Sequence, residues 1–150
     1  MAEFVIEVQG GKELAAKLRK YGVSILDLSH SMDQTGAYLS KFWSGEVFAS
    51  RGRVIGEPWP ALNDAYATFK ARRWPGRPPL FRTGLMNSSF KHKSTKLSAT
   101  LWNESKYFEY HQEGRGVPQR VMMKVDRQRE DHIKQFVADD LETKQREADV

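Results

Sequence analysis

The sequence predicts an α+β domain: a small antiparallel β-sheet packed against a long N-terminal helix and a C-terminal helix, with a proline-rich basic loop. Three observations carry this. Period-two alternation marks residues 3–8 and 97–102, with a further strand-like piece over 90–94. Apolar residues at helical spacing run through Ile25, Leu28, Met32, Leu39, Phe42 and Val47, and more sparsely through Ile133, Phe136, Val137 and Leu141. A chain of 150 residues, with no cysteine, fits one domain over 1–150 whose core needs neither disulfide nor metal.

The elements follow in order. Phe4, Ile6 and Val8 alternate with Glu3, Val5 and Glu7, and Gly10-Gly11 ends the strand. Leu14, Leu18 and Tyr21 keep helical spacing up to a break at Gly22. The long helix is expected over residues 23–49, with Gly36 inside it at a cost of about 1 kcal/mol relative to Ala. Glycines and prolines make residues 50–60 a loop, and Asn63 is placed to cap a helix reaching about Arg73. Trp74-Pro75-Gly76-Arg77-Pro78-Pro79 excludes helix and central strand. Thr83 is expected to cap a short helix reaching Phe90, after which residues 90–94 and 97–102 form a hairpin. Asn103 or Ser105 is expected to cap an aromatic helix over 106–112, ended by Gly114 and Gly116. Residues 117–123, with Pro118, read as extended. A charged helix over 125–146 closes the chain, with residues 140–150 expected to fray.

Charge is unevenly spread. Residues 65–103 hold no acid but carry Lys70, Arg72, Arg73, Arg77, Arg82, Lys91, Lys93 and Lys96, so this window is +8 in a chain of net +5 and the remainder is −3. Such a segment attracts a polyanion or an acidic protein surface. Acids near the N-terminus replace the basic region of a signal peptide, and no apolar run approaches the ~18 residues of a membrane span. The expectation is a soluble protein assembled in a cytoplasm, with no membrane partner.

The residues offer no catalytic pattern. Gly10-Gly11-Lys12-Glu13 lacks the spacing and hydroxyl of a phosphate loop. His30, His92, His111 and His132 are scattered, with no metal-ligand spacing. His111 beside Gln112 and Glu113 fits a helix-end histidine better than an acid–base pair, and Asp139-Asp140 reads as a solvated helix face. The expectation is a protein that is not an enzyme and holds no cofactor or metal.

Three clusters stand out instead: Pro58-Trp59-Pro60-Ala61-Leu62, then residues 80–89, then residues 107–120. Together they resemble the phage virion morphogenesis family, the tail completion or neck proteins of Mu-like tailed phages. Trp59, Pro60 and Leu62 match its W-P-x-L segment, after Phe48 at the end of the long helix. Leu80, Thr83, Gly84, Leu85 and Ser88 match L-x-x-T-G-x-L-x-x-S. Tyr107, His111, Gln112 and Gly114 match Y-A-x-x-H-Q-x-G, with Phe108 in place of the small residue, and Pro118 and Arg120 match P-x-R. The resemblance spans about residues 42–136. It implies a structural virion protein that forms a ring at the neck or tail end, completing the tail and joining it to the head. The implied partners are identical copies, a hexamer in preference to a twelvefold ring, then connector and tail-tube proteins, with DNA in the lumen. Lys70, Arg72, Arg73, Trp74, Arg77, Pro78, Pro79, Arg82 and Arg120 are the candidate contact residues. Thr83, Gly84 and His111 are read as maintaining the fold, and Trp59, Leu85 and Phe136 as core. A basic nucleic-acid-binding module is the alternative, with Trp74, Phe81 and Phe90 stacking bases among the cations.

Overall fold

The computed structural model describes residues 3–9, 13, 27–77, 79–80 and 84–148. Strand β1 (Glu3–Glu7) precedes helix α1 (Ser29–Phe42), which continues through a π-helical turn (Trp43–Val47) and a last turn (Phe48–Ser50). A 3-10 turn (Arg53–Ile55), α2 (Asp64–Arg73), β2 (Phe90–Ser94), β3 (Ser98–Asn103), α3 (Phe108–Glu113) and α4 (Arg127–Ala148) follow. The sheet has the order β1-β3-β2 with both pairings antiparallel. This is the expected α+β arrangement.

Alternation decides which face of the sheet is covered. Phe4 lies opposite Leu101 and Ile6 opposite Ala99, while Phe90 and His92 lie opposite Asn103 and Leu101. These positions face α1, whose Leu39, Phe42, Trp43, Val47 and Phe48 form the core with Phe90, Leu101, Phe108, Met122 and Met123. The aromatic rings meet edge-on or tilted: Phe4 on Trp43 at 5.4 Å, Phe90 on Phe108 at 5.8 Å, Phe48 on Trp59 at 5.2 Å. Trp59 is buried as expected, and Gly52 makes that seat: its φ is +79°, and an added Cβ would come within 2.6 Å of the Trp59 ring.

Helix α1 begins later than its periodicity predicts. Residues 27 and 28 are not helical. The Asp27 carboxylate accepts from the Ser29 N–H (2.9 Å), and the Leu28 N–H donates to the Lys96 carbonyl (2.9 Å), which ties the lead-in to the β2–β3 turn. Leu14, Leu18, Tyr21, Gly22 and Ile25 lie outside the described residues. Helix α4 packs on α1, and its Asp140 carboxylate accepts from the Ser31 N–H at 3.0 Å. An acid from a distant helix thus satisfies one of the unbonded N–H groups at the positive end of α1. Asp140 is therefore buried rather than solvated, and α4 runs regularly to Ala148 where fraying was expected; Asp139 is exposed. Ile133 is buried, but Phe136 is only half-buried, edge-on to Tyr38.

Residues 84–88 form a turn instead of the expected helix. Ser88 and Ser89 both turn their hydroxyls onto the Leu85 carbonyl, competing with helical bonding. Thr83, its expected cap, lies outside the described residues. On this turn Leu85 is 63% exposed, which corrects its expected place in the core. Helix α3 begins at Phe108 without a side-chain cap. The Asn103 amide is used elsewhere, accepting from the Ser105 N–H (2.8 Å) and donating to the Met86 carbonyl (2.7 Å). Asn63 does cap α2, accepting from the Tyr66 N–H at 2.8 Å.

Three substitutions test this packing. Helix propensity favours Gly36→Ala by about 1 kcal/mol, yet a Cβ at Gly36 would lie 2.7 Å from His92 Cγ and 3.0 Å from its Cβ. We expect Gly36→Ala to lower the thermal midpoint; a raised midpoint would show that β2 yields freely. Leu85→Ala should change stability by no more than about 0.5 kcal/mol, whereas Phe108→Ala should cost about 3–5 kcal/mol in denaturant unfolding.

Candidate interaction groove

The three clusters singled out in the sequence meet at one groove of about 530 Å³. Leu62 enters from the tryptophan–proline segment, and Tyr66 and Lys70 come from α2. Leu80, Leu85 and Met86 come from the second cluster, and Tyr107, His111, Val117, Pro118 and Arg120 from the third. Trp74 completes the wall. Its half-buried ring meets Phe69 edge-on at 6.0 Å and lies under the Arg73 guanidinium at 5.9 Å.

The segment after Pro118 is the scaffold of the groove. Gln112 bonds it as a neighbouring strand would: its side-chain oxygen accepts from the Met122 and Met123 N–H groups (2.8 and 3.1 Å), and its amide donates to the Met123 carbonyl (3.0 Å). The Trp59 indole donates to the Val121 carbonyl (2.8 Å) and the Trp43 indole to the Lys124 carbonyl (3.1 Å). Gly114, with φ +73°, turns the chain from α3 towards this segment, and the Arg120 N–H donates back to the His111 carbonyl (2.8 Å).

Arg120 was expected to contact a partner. Instead its side chain is buried, and it donates from Nε (3.1 Å) and Nη2 (2.8 Å) to the Pro60 carbonyl and from Nη2 to the Ala61 carbonyl (3.3 Å). Lys70, another expected contact residue, is only 4% exposed. Both therefore form the floor of the groove rather than its outer surface. His111 lines the same groove, half-buried, and its Nδ1 has no hydrogen-bond partner among the described residues.

The electrostatics of this floor are strained. Burial pushes the Lys70 ammonium below the usual lysine range, and the nearby Arg120, Arg51 and Arg77 push it further. Burial lowers His111 as well, with Arg120 adding to the effect, and burial lowers Arg120 itself. Above the floor the rim is apolar and open: Leu85, Tyr107, Tyr66, Val117 and Pro118. An anionic group carried on an apolar stem fits both parts, since it would relieve repulsion below and cover apolar surface above.

The remaining candidates sit elsewhere. Arg72, Arg73 and Arg77 are exposed at and beyond the end of α2, Pro79 is buried and Pro60 is exposed. Pro78, Phe81, Arg82 and Thr83 lie outside the described residues. Leu80 has a left-handed backbone at φ +67°, and Gly84 also has positive φ. Phe90 is a core residue, so the base-stacking role weighed for it does not hold. Tyr66 and Val117, named in the sequence beside the first and within the third cluster but given no contact role, stand on the rim, and Trp43 as a clamp was not foreseen. The adjacent apolar pair Met122-Met123 was the available signal, because two neighbouring buried side chains imply a buried backbone. No cluster of three or more metal-ligating side chains occurs among the described residues, and no helix there is long and apolar enough to cross a membrane.

The lowered His111 pKa has a definite sign. The unfolded chain takes up this proton first as pH falls below about 6.5, so His111 removes stability progressively between that pH and its lower folded value. The loss in urea midpoint between about pH 7.5 and pH 5.5 should be smaller in His111→Asn than in the parent protein; equal losses would remove His111 as a contributor. No protein-family model, curated protein or solved structure matches the chain.

Proposed function

We propose that this chain is a structural virion protein that forms a ring at the head–tail junction, completing the tail and joining it to the head. The observation that supports this best is the convergence of its motifs. The three stretches resembling the tail completion family are separated in sequence, yet all line one groove. A purely structural motif set would be spent inside the core; here Leu62, Leu80, Leu85, Tyr107, His111 and Pro118 border an open surface.

In this reading the groove takes an acidic, apolar segment of a neighbouring protein: an adjacent copy, a connector or a tail-tube subunit. The carboxylate faces the Lys70–His111–Arg120 floor, and the apolar part lies on the rim. The exposed Arg72, Arg73 and Arg77 extend the positive field outward and steer the encounter. The protein acts as a joint, without catalysis or cofactor, and hexameric symmetry is the favoured form, enclosing DNA without reading it. The exposed arginines beside Trp74 are the observation behind the second reading, a nucleic-acid-binding module. A steep loss of oligonucleotide affinity with rising salt distinguishes it.

Changing Arg72, Arg73 and Arg77 together to Ala should leave stability within about 1 kcal/mol of the parent, while heads and tails accumulate unjoined. Infectious particles at parental yield would refute the role of these arginines. A particle map placing the chain in the shell or fibres would refute the ring.

A further inference from the structure

We propose that copies of this chain join by continuing the β-sheet, the outer edge of β1 in one copy lying against the outer edge of β2 in the next. This deepens the ring reading above and rests on it only in requiring that copies touch. The sheet order leaves β3 paired on both sides, whereas β1 and β2 each pair with β3 alone among the described residues. Open grooves run beside both edges, one between β1 and α4 and one between β2 and α1.

The two edges have opposite charge. On the face of the sheet away from α1, β1 presents Glu3, Val5 and Glu7, all exposed, and β2 presents Lys91 and Lys93, also exposed. They are level across the sheet: Glu3 and Lys91 both lie opposite Trp102, and Val5 and Lys93 both lie opposite Thr100. Each strand is antiparallel to β3, so β1 and β2 run parallel to each other. Rotation about an axis along the strands therefore brings the β1 edge of one copy alongside the β2 edge of the next with the two strands parallel, an arrangement that supports a regular ladder. At unchanged level, Glu3 of the second copy stands beside Lys91 of the first.

Such a contact is head-to-tail and closes into a ring when its rotation divides a full turn. Lysines on an edge strand usually discourage pairing. Here they select instead, because β2 against β2 sets lysines together and β1 against β1 sets glutamates together, while only the unlike pair attracts.

The cysteine-free sequence permits a direct test. Within one copy, residues 3 and 91 flank β3 and stand about 9.6 Å apart, two strand spacings, beyond the ~7 Å reach of a disulfide. Between copies they would be on adjacent strands. Purified Glu3→Cys and Lys91→Cys proteins, one carrying a larger tag, are mixed at high concentration and oxidised. We expect a disulfide-linked dimer of unlike chains at several times the yield of either like dimer, and a ladder of multimers from the double variant. Like and unlike dimers in random proportion, or monomer alone, would overturn the proposal. In a second arm, Glu3→Lys/Glu7→Lys and Lys91→Glu/Lys93→Glu proteins should each lose self-association by sedimentation and regain it on mixing, which misfolding could not produce. A mixture that stays monomeric while the parent protein associates also overturns the proposal. A ladder from a protein found away from the head–tail junction keeps this contact and rejects the function. A ring at the junction without unlike cross-links does the reverse.

Discussion

Burying the backbone of residues 120–124 without giving it a strand partner is the constraint on which the rest of this structure depends. Met122 and Met123 are adjacent and both buried, so the chain between them runs through the core with its amides enclosed. Each buried N–H or C=O left unbonded costs about 1–3 kcal/mol, and none of the described strands pairs with it. Side chains do the work of a ladder. Gln112 bonds both methionine N–H groups and one carbonyl, Trp59 and Trp43 bond the carbonyls on either side, and the first N–H of the segment returns to His111. The donors and acceptors come from α1, the loop after it and α3, so satisfying one strip of backbone fixes three elements against each other.

The groove follows from that strip. Arg120 is its first residue, and the guanidinium has to find acceptors once it is carried inward. It finds the Pro60 and Ala61 carbonyls, which fixes the approach to α2 and so the places of Tyr66 and Lys70. Lys70 lies near the end of that helix, where the negative end of the dipole partly offsets the desolvation of its ammonium. The floor is therefore cationic for a structural reason, and its use by an anion is an opportunity the fold supplies. Shape adds to charge: the walls come from a short helix, a turn and a proline-bearing strand-like segment, so side chains such as Leu85 and Tyr107 stand open rather than being drawn into the core.

What could be read from the sequence and what could not divide along the range of the interactions. The β1 alternation, the β2–β3 hairpin and the Asn63 cap are set by neighbours within a few residues, and the sequence reading has them at nearly the observed bounds. Leu85 fits a helix-spaced apolar pattern only if residues 83–90 are helical; the paired serines hold a turn there, and the side chain swings out. Asp140 looks like part of a solvated face until Ser31, 109 residues earlier, is placed beside it. Lys70 and Arg120 carry the composition of a surface and the burial of a core, because their partners are brought near by tertiary folding. Gln112 is the intermediate case: its polar role was legible, but its particular acceptors and donors depend on where the methionine segment passes.

The same distinction changes the meaning of the +8 segment. Read linearly, residues 65–103 form one positive stretch. Folded, six of its eight cations fall into three places with different physics, Lys96 being exposed in the β2–β3 turn and Arg82 outside the described residues. Lys70 is turned inward and perturbed by its cationic neighbours, Arg72, Arg73 and Arg77 stand in solvent at the end of α2, and Lys91 and Lys93 line one edge of the sheet. Buried charge acts at contact distance and favours a defined anion; solvent-exposed charge acts over roughly a Debye length of 8 Å and mainly sets encounter rates; charge on a strand edge is read residue by residue against the strand that pairs with it. A single polyanionic ligand would have to engage all three at once. The two contacts proposed above, one in the groove and one at the sheet edge, would use each set in the way its environment allows, and a subunit meeting different neighbours on different faces would require that division.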